Sequence, residues 1–396
     1  MRHRQSTLRA KDVHAHARRL LLAELDLEGY EPSLPPALVV SLLILASIWQ
    51  TSLSCACSMV EDPPCRERAR TAALALLPRK PTELLAALLR ALRNTLPEHL
   101  RNATLPAAID LHQRPFYGRK GTRGSTRRKN KAGTRDSFTY ATLAVLTRWG
   151  RFTAGLLLTR PRMRLTTIVE RLLAQTQEAG LRLAYVLMDK EFYAAEVVDL
   201  LQRRGLPFVV PVEERRGAAA FLFDPKTPVG FHDYGWTGEL WRYDAKEKRK
   251  RRRGKLPVRV RGCTWRHKKT NEPLAYATWG LVGWSAAQVA ETYRRRFGIE
   301  ASYRQLNGCL ARTSSTCERY RLLLVGLALL LCNLWSYLHS EVFSTGALCE
   351  TELRLWSMRL LAMLAAVAAQ VAALFGGYVC EWATQRPVPP CFIHDP

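Results

Sequence analysis

One stretch of the chain, residues 291–307, carries charged, polar and aromatic side chains at helical spacing. Four of them stand at offsets of 0, 3, 7 and 14 residues: Tyr293, Arg296, Glu300 and Asn307. At about 100° per residue, these positions fall within roughly 60° of one another around a helix. A phenol, a guanidinium, a carboxylate and an amide in one row suit a site that cuts a phosphodiester bond. The alternative is a solvated, salt-bridged helix face, which is a common feature.

Two aspartates upstream of this stretch occupy positions where an isolated carboxylate is unusual. Asp110 follows the apolar residues 107–109, and Asp189 follows the mostly apolar run 185–188. Burying a carboxylate in such a strand is costly unless a partner or a metal ion offsets its charge. If Glu300 joined them at a sheet edge, the three carboxylates would hold two Mg²⁺ ions for an in-line phosphoryl transfer. Taken singly, each acid has a simpler explanation as an N-cap or a salt-bridged residue.

The net charge of the chain is +26, from 60 Lys and Arg against 34 Asp and Glu. This balance favours a polyanionic partner, which is either nucleic acid or an anionic membrane surface. Arginine dominates the positive charge, and its planar guanidinium pairs in a bidentate manner with phosphate and with guanine, which favours nucleic acid. The apolar content of 47% is that of an ordinary globular protein and excludes disorder as the default.

Two basic segments are candidates for contact with a DNA backbone. Residues 119–135 hold eight basic residues, three glycines and no acid, which predicts a flexible cationic loop. Residues 246–255 hold eight basic residues and one acid, which predicts a solvated loop. In a chain this basic, we expect both segments to contact DNA. The candidate contact residues within them are Arg127, Arg128, Lys129, Arg251 and Arg252.

Three apolar runs approach the length of a membrane-spanning helix, at residues 36–60, 322–338 and 358–379. Each contains interior polar or charged residues, so we interpret all three as buried core helices and expect no membrane partner. The N-terminus is polar and basic, unlike a signal peptide, and the ten cysteines follow no regular framework. These features favour a reduced, cytoplasmic setting with free thiols rather than disulfides or a zinc site.

The order of the predicted elements indicates an α/β protein in five parts. Residues 1–105 predict a helical N-terminal domain, for DNA-end binding or for dimerisation. Residues 106–212 predict a strand hairpin followed by alternating strands and helices, which implies a mixed sheet flanked by helices. Residues 213–284 predict a β-rich, basic insertion subdomain. Residues 285–340 complete the core with the helix of the opening stretch, and residues 341–396 form a C-terminal helical segment and tail.

The sequence resembles the DDE transposases of prokaryotic insertion sequences, in the ribonuclease-H-like superfamily that includes retroviral integrases. The family signature is Tyr-(2)-Arg-(3)-Glu-(6)-Lys, with the number of intervening residues in brackets, and Tyr293, Arg296 and Glu300 match it in type and spacing. The segments around Asp110 and Asp189 resemble the first and second aspartate blocks of the family. A β insertion between the second aspartate and the glutamate matches one branch of it.

This resemblance implies a ribonuclease-H-like mixed sheet and a metal-dependent DNA transposase. Asp110, Asp189 and Glu300 would be the catalytic acids and would bind two Mg²⁺ ions, for which Mn²⁺ can substitute. Tyr293 and Arg296 would contact the DNA backbone near the cleaved end. An activated water would cut one strand, and the freed 3′-hydroxyl would then attack target DNA. The partners would be the inverted-repeat ends of the transposon and target DNA, held by a homodimer in the prokaryotic cytoplasm.

One position departs from the signature, since Asn307 stands where the family has lysine. An amide can hydrogen-bond a phosphate but carries no charge, so we expect a weaker strand-end contact there. Arg304 lies on the same helical face and is a candidate substitute. Two alternatives also stay open: a nuclease of the same fold that cuts without joining, and a catalytically inactive DNA-binding relative. A strand-transfer assay separates the first, and the three intact acids argue against the second.

Overall fold

The computed structural model describes most of the chain. The described residues are 8–25, 27, 30, 33–131, 133–148, 150–212, 217–244, 249–267, 270–342 and 360–379, and for 128–131, 135, 241–244, 249–253 and 295–305 they comprise the backbone alone.

The N-terminal part of the chain is helical, as its composition predicts. Its helices are α1 (Ala10–Leu22), α2 (Pro36–Ile48), α3 (Leu53–Cys57), α4 (Arg66–Ala75) and α5 (Pro81–Arg93). They share one hydrophobic cluster with two helices from the far end of the chain, α9 (Glu318–Tyr337) and α10 (Leu360–Ala373). The N-terminal helices therefore do not enclose a core of their own, and their role in DNA-end binding or dimerisation stays a prediction.

The three apolar runs all contribute to this shared cluster, through α2, α9 and α10. Their interpretation as core helices is therefore confirmed. Among the described residues, one helix, Glu318–Val342, is long and apolar enough to cross a membrane, and 78% of its most apolar window is buried inside the protein.

Nine strands of the described chain form a single mixed sheet. They are β1 (Thr104–Pro115), β2 (Thr126–Lys131), β3 (Thr134–Thr147), β4 (Gly150–Leu158), β5 (Arg182–Met188), β6 (Phe208–Pro211), β7 (Gly230–Asp244), β8 (Arg249–Arg266) and β9 (Pro273–Trp279). The order across the sheet is β2-β3-β1-β5-β6-β9-β8-β7, and β4 also pairs with β3. β1, β5 and β6 run parallel to one another, and the remaining pairs are antiparallel.

Helices cover both faces of this sheet. Because successive strand residues point to opposite faces, neighbouring residues of β1 report which helices lie on each side. Ala107 and Ile109 belong to the cluster formed with α6 (Leu165–Glu178) and α7 (Ala195–Arg203). Ala108 belongs to a separate cluster formed with α8 (Ala286–Asn307). The predicted mixed sheet flanked by helices is confirmed in this form.

The basic segments are more ordered than the sequence predicts. Residues 126–131 form strand β2, which hairpins back to β3 through Gly133 at φ +79°. The reason lies in the alternation of this segment: the Thr126 hydroxyl is buried 3.0 Å from that of Thr139, while Arg127 is exposed. The prediction of a flexible loop is therefore wrong for the second half of residues 119–135.

The second basic segment is likewise a strand from Arg249 onward, paired with β7 along its length. The predicted insertion does contain three strands, but β9 pairs with β6 and joins them to the main sheet. Pairing in a hairpin satisfies the backbone N–H and C=O groups whatever the side chains are, so a highly charged segment can also form a strand. Charge alone therefore does not identify a loop here.

We expect Asn333 of α9 to contribute strongly to the attachment of the helical cluster to the sheet. Its amide is 1% exposed, accepts from Thr153 N at 2.8 Å, and donates to Thr153 O and Thr95 Oγ1 at 3.0 Å. Asn333→Ala should lower the free energy of unfolding by about 2 kcal/mol, since buried backbone groups of β4 lose their partner. Urea denaturation measures the change, and Gln177→Ala on the exposed face of α6 is the matched control. Equal stabilities of the two variants would contradict this role.

A buried histidine predicts how the helical cluster responds to acid. His14 of α1 is 3% exposed, and its Nε2 lies 3.0 Å from the Ser41 hydroxyl of α2, which itself donates to Ala37 O. Burial, with a smaller contribution from Arg18, lowers the pKa of His14 from 6.5 to about 4. As the pH falls, the unfolded chain therefore takes up this proton before the folded one does. Stability from this group is complete above pH 6.5 and is lost as the pH falls towards 4.

The expected loss is about 2 kcal/mol between pH 7 and pH 5. Urea denaturation at both pH values should show a smaller loss for His14→Gln than for the wild type. Gln177→Ala, which changes an exposed side chain that does not titrate, is the control and should keep the wild-type pH dependence. If His14→Gln kept the full wild-type dependence, other groups would have to account for it.

Candidate active site

The structure places Asp110, in the middle of β1, beside Asp189, which follows the end of the neighbouring parallel strand β5. The last paired residues of β1 and β5 are Ile109 and Met188, and the two aspartates follow them directly. Asp189 keeps an extended backbone (φ −76°, ψ 162°), so it continues the line of its strand. Adjacent strands lie about 4.8 Å apart, and residues in register point to the same face. The predicted position of Asp189 at a strand end is confirmed.

Local backbone contacts hold each carboxylate at this edge. Asp110 is 7% exposed, and its Oδ1 accepts from the N–H of Leu111 at 2.7 Å. Asp189 is half-buried, and its Oδ1 accepts from the N–H of Lys190 at 2.6 Å as it begins a short 3-10 turn. The two carboxylates therefore lie on neighbouring strands, one within β1 and one after the end of β5.

Helix α8 lies over the same face of the sheet as the two aspartates. Ala108 and Leu187 precede Asp110 and Asp189 by two residues each, and so point to the same side. Both pack in one cluster with residues from the first half of α8, which include Val289 and Tyr293. Helix α8, which contains residues 291–307, therefore lies over the face of the sheet that carries Asp110 and Asp189.

Tyr293 occupies a different place from the one predicted. It is 3% exposed, its hydroxyl donates to the carbonyl of Met188 at 3.3 Å, and its ring centroid lies 4.9 Å from that of Tyr276. The ring packs on the sheet, so the contacts of Tyr293 within the protein are structural, and its contact with DNA stays a prediction. The sequence signal was an apolar stripe at helical spacing, in which Ala286, Val289 and Tyr293 share one face.

The far end of α8 is fixed to β1. Asn307 is exposed at the last residue of the helix, and its Oδ1 accepts from Nη1 of Arg114 at 2.9 Å. Arg114 lies four residues after Asp110 and so on the same face of β1. His112 lies between them on that face, and burial, helped by Arg114, lowers its pKa to about 4. The sequence analysis missed Arg114, although the alternation of Asp110, His112 and Arg114 along the strand was visible.

Position 300 lies midway between these two attachments. It is seven residues from Tyr293 and seven from Asn307, which is about 10 Å along the axis in either direction. The side chains of several predicted site residues lie outside the described residues: Arg296, Glu300, Arg304, Arg128, Lys129, Arg251 and Arg252. Among the side chains that are described, no three His, Cys, Asp or Glu residues group as a metal site. The described part of the site is thus a pair of carboxylates beneath α8.

Comparisons with known proteins identify the family of the chain and a similar fold. A family model described as "Transposase DDE domain" matches residues 118–335, more than half of the chain, which includes Asp189 and position 300 and begins just after Asp110. A solved structure of the piggyBac transposase synaptic complex with hairpin DNA is similar, with a TM-score of 0.57 and 11% identity. That similarity covers 95% of this chain and 82% of the other, and at this identity it shows the fold alone. A search of curated proteins gave no match.

Proposed function

The chain belongs to the transposase DDE domain family, and we propose that it cuts DNA at the ends of an insertion sequence and joins the freed ends to target DNA. The observation that carries this proposal is the pairing of β1 with β5, which sets Asp110 and Asp189 side by side beneath α8. The mixed sheet with helices on both faces supports a ribonuclease-H-like core. The proposal includes Glu300 as the third acid.

The placement of Glu300 in this proposal rests on the backbone of α8. An offset of seven residues returns to nearly the same face of a helix, so positions 293, 300 and 307 form one row. The first and last residues of that row are attached to β5 and β1, the strands that end in or carry the aspartates. Position 300 therefore lies along α8 between the contacts at Met188 and Arg114, and on this ground the proposal places Glu300 near Asp110 and Asp189.

The residues of this site fit divalent metal ions. Mg²⁺ prefers oxygen ligands and few of them from protein, and Asp110 and Asp189 offer carboxylates at one strand edge. We propose that these two residues and Glu300 would hold two Mg²⁺ ions, with Mn²⁺ as a substitute. When bound, such ions stabilise the attacking and leaving oxygens of an in-line displacement at phosphorus. The protein contributes by fixing the carboxylates on rigid strands, so that little reorganisation is needed on binding.

The proposed substrate is double-stranded DNA, both the inverted-repeat ends of the element and the target. A net charge of +26 supports this choice. Exposed cations lie just before and within β2, and one of them, Arg123, is 3.8 Å from Glu318: Arg119, Lys120, Arg123 and Arg127. We also propose that a homodimer pairs two ends in the prokaryotic cytoplasm, and that Arg296 and the basic β7–β8 hairpin contact the DNA backbone.

Incubation of the purified protein with Mg²⁺ or Mn²⁺ tests this function. The substrates are a labelled duplex of the element's own inverted repeat and a supercoiled target plasmid. We expect nicking at the repeat end and covalent joining of that end to the plasmid. Nicking without joining would favour the nuclease alternative, and binding without nicking would favour an inactive relative. A labelled duplex of random sequence is the control for specificity.

A further inference from the structure

A second group of polar residues lies on the face of β1 that carries Asp110, at the far end of that strand. Arg114 donates to the exposed Asn307 amide, and it lies close enough to Arg312 for the two guanidinium groups to repel each other. Arg312 is exposed in the loop that leaves α8. A third arginine, Arg321, lies beneath them and also interacts electrostatically with Arg114.

The charge of Arg321 is accounted for within the protein. Its guanidinium donates to the carbonyls of Ser315 at 2.6 Å and Thr313 at 3.0 Å. It also lies over the rings of Phe116 and Phe138, at 4.9 and 4.7 Å from their centroids. Carbonyl oxygens and ring faces both stabilise a buried cation. Arg321 therefore has a structural role and is not available to a ligand.

Arg114 differs from Arg321 in its surroundings. Burial lowers the pKa of Arg114, Tyr140 opposes this effect, and the neighbouring Arg312 adds a smaller lowering. Within the described part of the chain the electrostatic neighbours of Arg114 include no carboxylate. A half-buried guanidinium beside other arginines and without a carboxylate partner is unfavourable, and a bound anion would reduce that cost. The guanidinium fork presents five N–H donors, so the single bond to Asn307 leaves geometry for a bidentate contact.

The position of this cluster indicates which anion it would receive. Arg114 is four residues from Asp110, which is about 13 Å along the strand and on the same face. A DNA strand whose scissile phosphate lay at Asp110 would carry further phosphates across this distance. A DNA strand is also the kind of polyanionic partner that the net charge of +26 predicts.

We propose that Arg114, with Arg312 and Asn307, forms a subsite for a backbone phosphate of the DNA strand bound at the two aspartates. The identification of the anion as DNA rests on the proposed function. The subsite would supply a charge at the end of α8 where the side chain of position 307 has none. In this proposal Arg114 binds DNA and takes no part in the reaction, which is assigned to the acids.

The salt dependence of DNA binding tests the subsite. Affinity is measured by fluorescence anisotropy in EDTA, over a series of salt concentrations, with a labelled inverted-repeat duplex. Each phosphate contact that is lost reduces the slope of log K against log salt by about one. We expect Arg114→Ala to lower affinity about tenfold at moderate salt and to reduce the slope by about one. Arg114→Lys should keep the slope, and Asn307→Lys should restore it in the Arg114→Ala protein.

Two further variants make the result decisive. Arg312→Ala alters an exposed side chain and should also reduce the slope, even if Arg114→Ala folds poorly. Arg204→Ala, at the exposed end of α7 on the opposite face of the sheet, should leave affinity and slope unchanged. Wild-type slopes for both Arg114→Ala and Arg312→Ala would overturn the proposal. Failure of the wild type to nick DNA would instead refute the proposed function. The salt slopes would still test the subsite, because they measure binding in EDTA and do not depend on cleavage.

Discussion

Asp189→Asn is expected to abolish strand cleavage and joining while leaving DNA binding close to that of the wild type. The substitution keeps the shape of the side chain and its acceptor for the Lys190 N–H. It removes the negative charge that would hold a divalent ion beside Asp110. Loss of such a ligand should cost at least about 4 kcal/mol of transition-state stabilisation, or roughly a thousandfold in rate. The measurement is single-turnover nicking of the inverted-repeat duplex in Mg²⁺.

The control for this variant is Asp199→Asn, which makes the same chemical change on α7. Asp199 pairs with Arg203 one turn later on the surface, and such pairs contribute little. Its nicking rate should match that of the wild type. Anisotropy in EDTA shows whether Asp189→Asn still binds the duplex. Full nicking activity in Asp189→Asn would mean that the two strand-end aspartates are not the catalytic pair.

Tyr293→Ala is expected to destabilise the protein by about 3–5 kcal/mol, because it leaves a ring-sized cavity between α8 and the sheet. Tyr293→Phe keeps the ring and removes only the hydroxyl contact with Met188 O, so we expect a loss of about 1 kcal/mol. The shift of the urea midpoint, with its slope checked for constancy, measures both. Tyr293→Phe should also bind the inverted-repeat duplex with unchanged salt dependence.

This pair of variants distinguishes the buried tyrosine from the strand-end contact that the family resemblance implies. A phenol that touches a phosphate would lose affinity in Tyr293→Phe with little change in stability. A phenol that fixes α8 would lose stability with little change in affinity. Normal stability in Tyr293→Ala, together with weak DNA binding, would show that the ring belongs to the DNA interface after all.

Much of the core could be predicted from the sequence, because its signals are local. The apolar run before Asp189 ends in a charged residue, and a strand ends there. Gly180 follows the end of α6, and the two strands on either side of the predicted Trp149-Gly150 turn are paired up to Thr147 and Gly150. Each of these features depends on neighbours within a few residues. The positions of Asp110 on a strand and of α8 after the insertion followed from the same kind of pattern.

The parts that could not be predicted depend on contacts between distant segments. Nothing local shows that the N-terminal helices share a cluster with α9 and α10, some 220 or more residues later. The charge of residues 246–255 concealed a strand whose pairing with β7 decides its conformation. Tyr293 illustrates the same difficulty within the site, since its spacing suits a solvent-facing row as well as a buried stripe. Only the acceptor at Met188 O and the ring of Tyr276 decide between them.

Helix α8 and the two strands β1 and β5 are each connected to the other two. One end of the row is joined to β5 through Tyr293, the other to β1 through Asn307, and the two strands are joined to each other by backbone pairing. A shift of either strand along its own direction would therefore disturb a contact with α8. A phosphate bound at Arg114 would contact the residue that connects the end of α8 to β1. DNA binding and the attachment of α8 to β1 would then depend on the same residue.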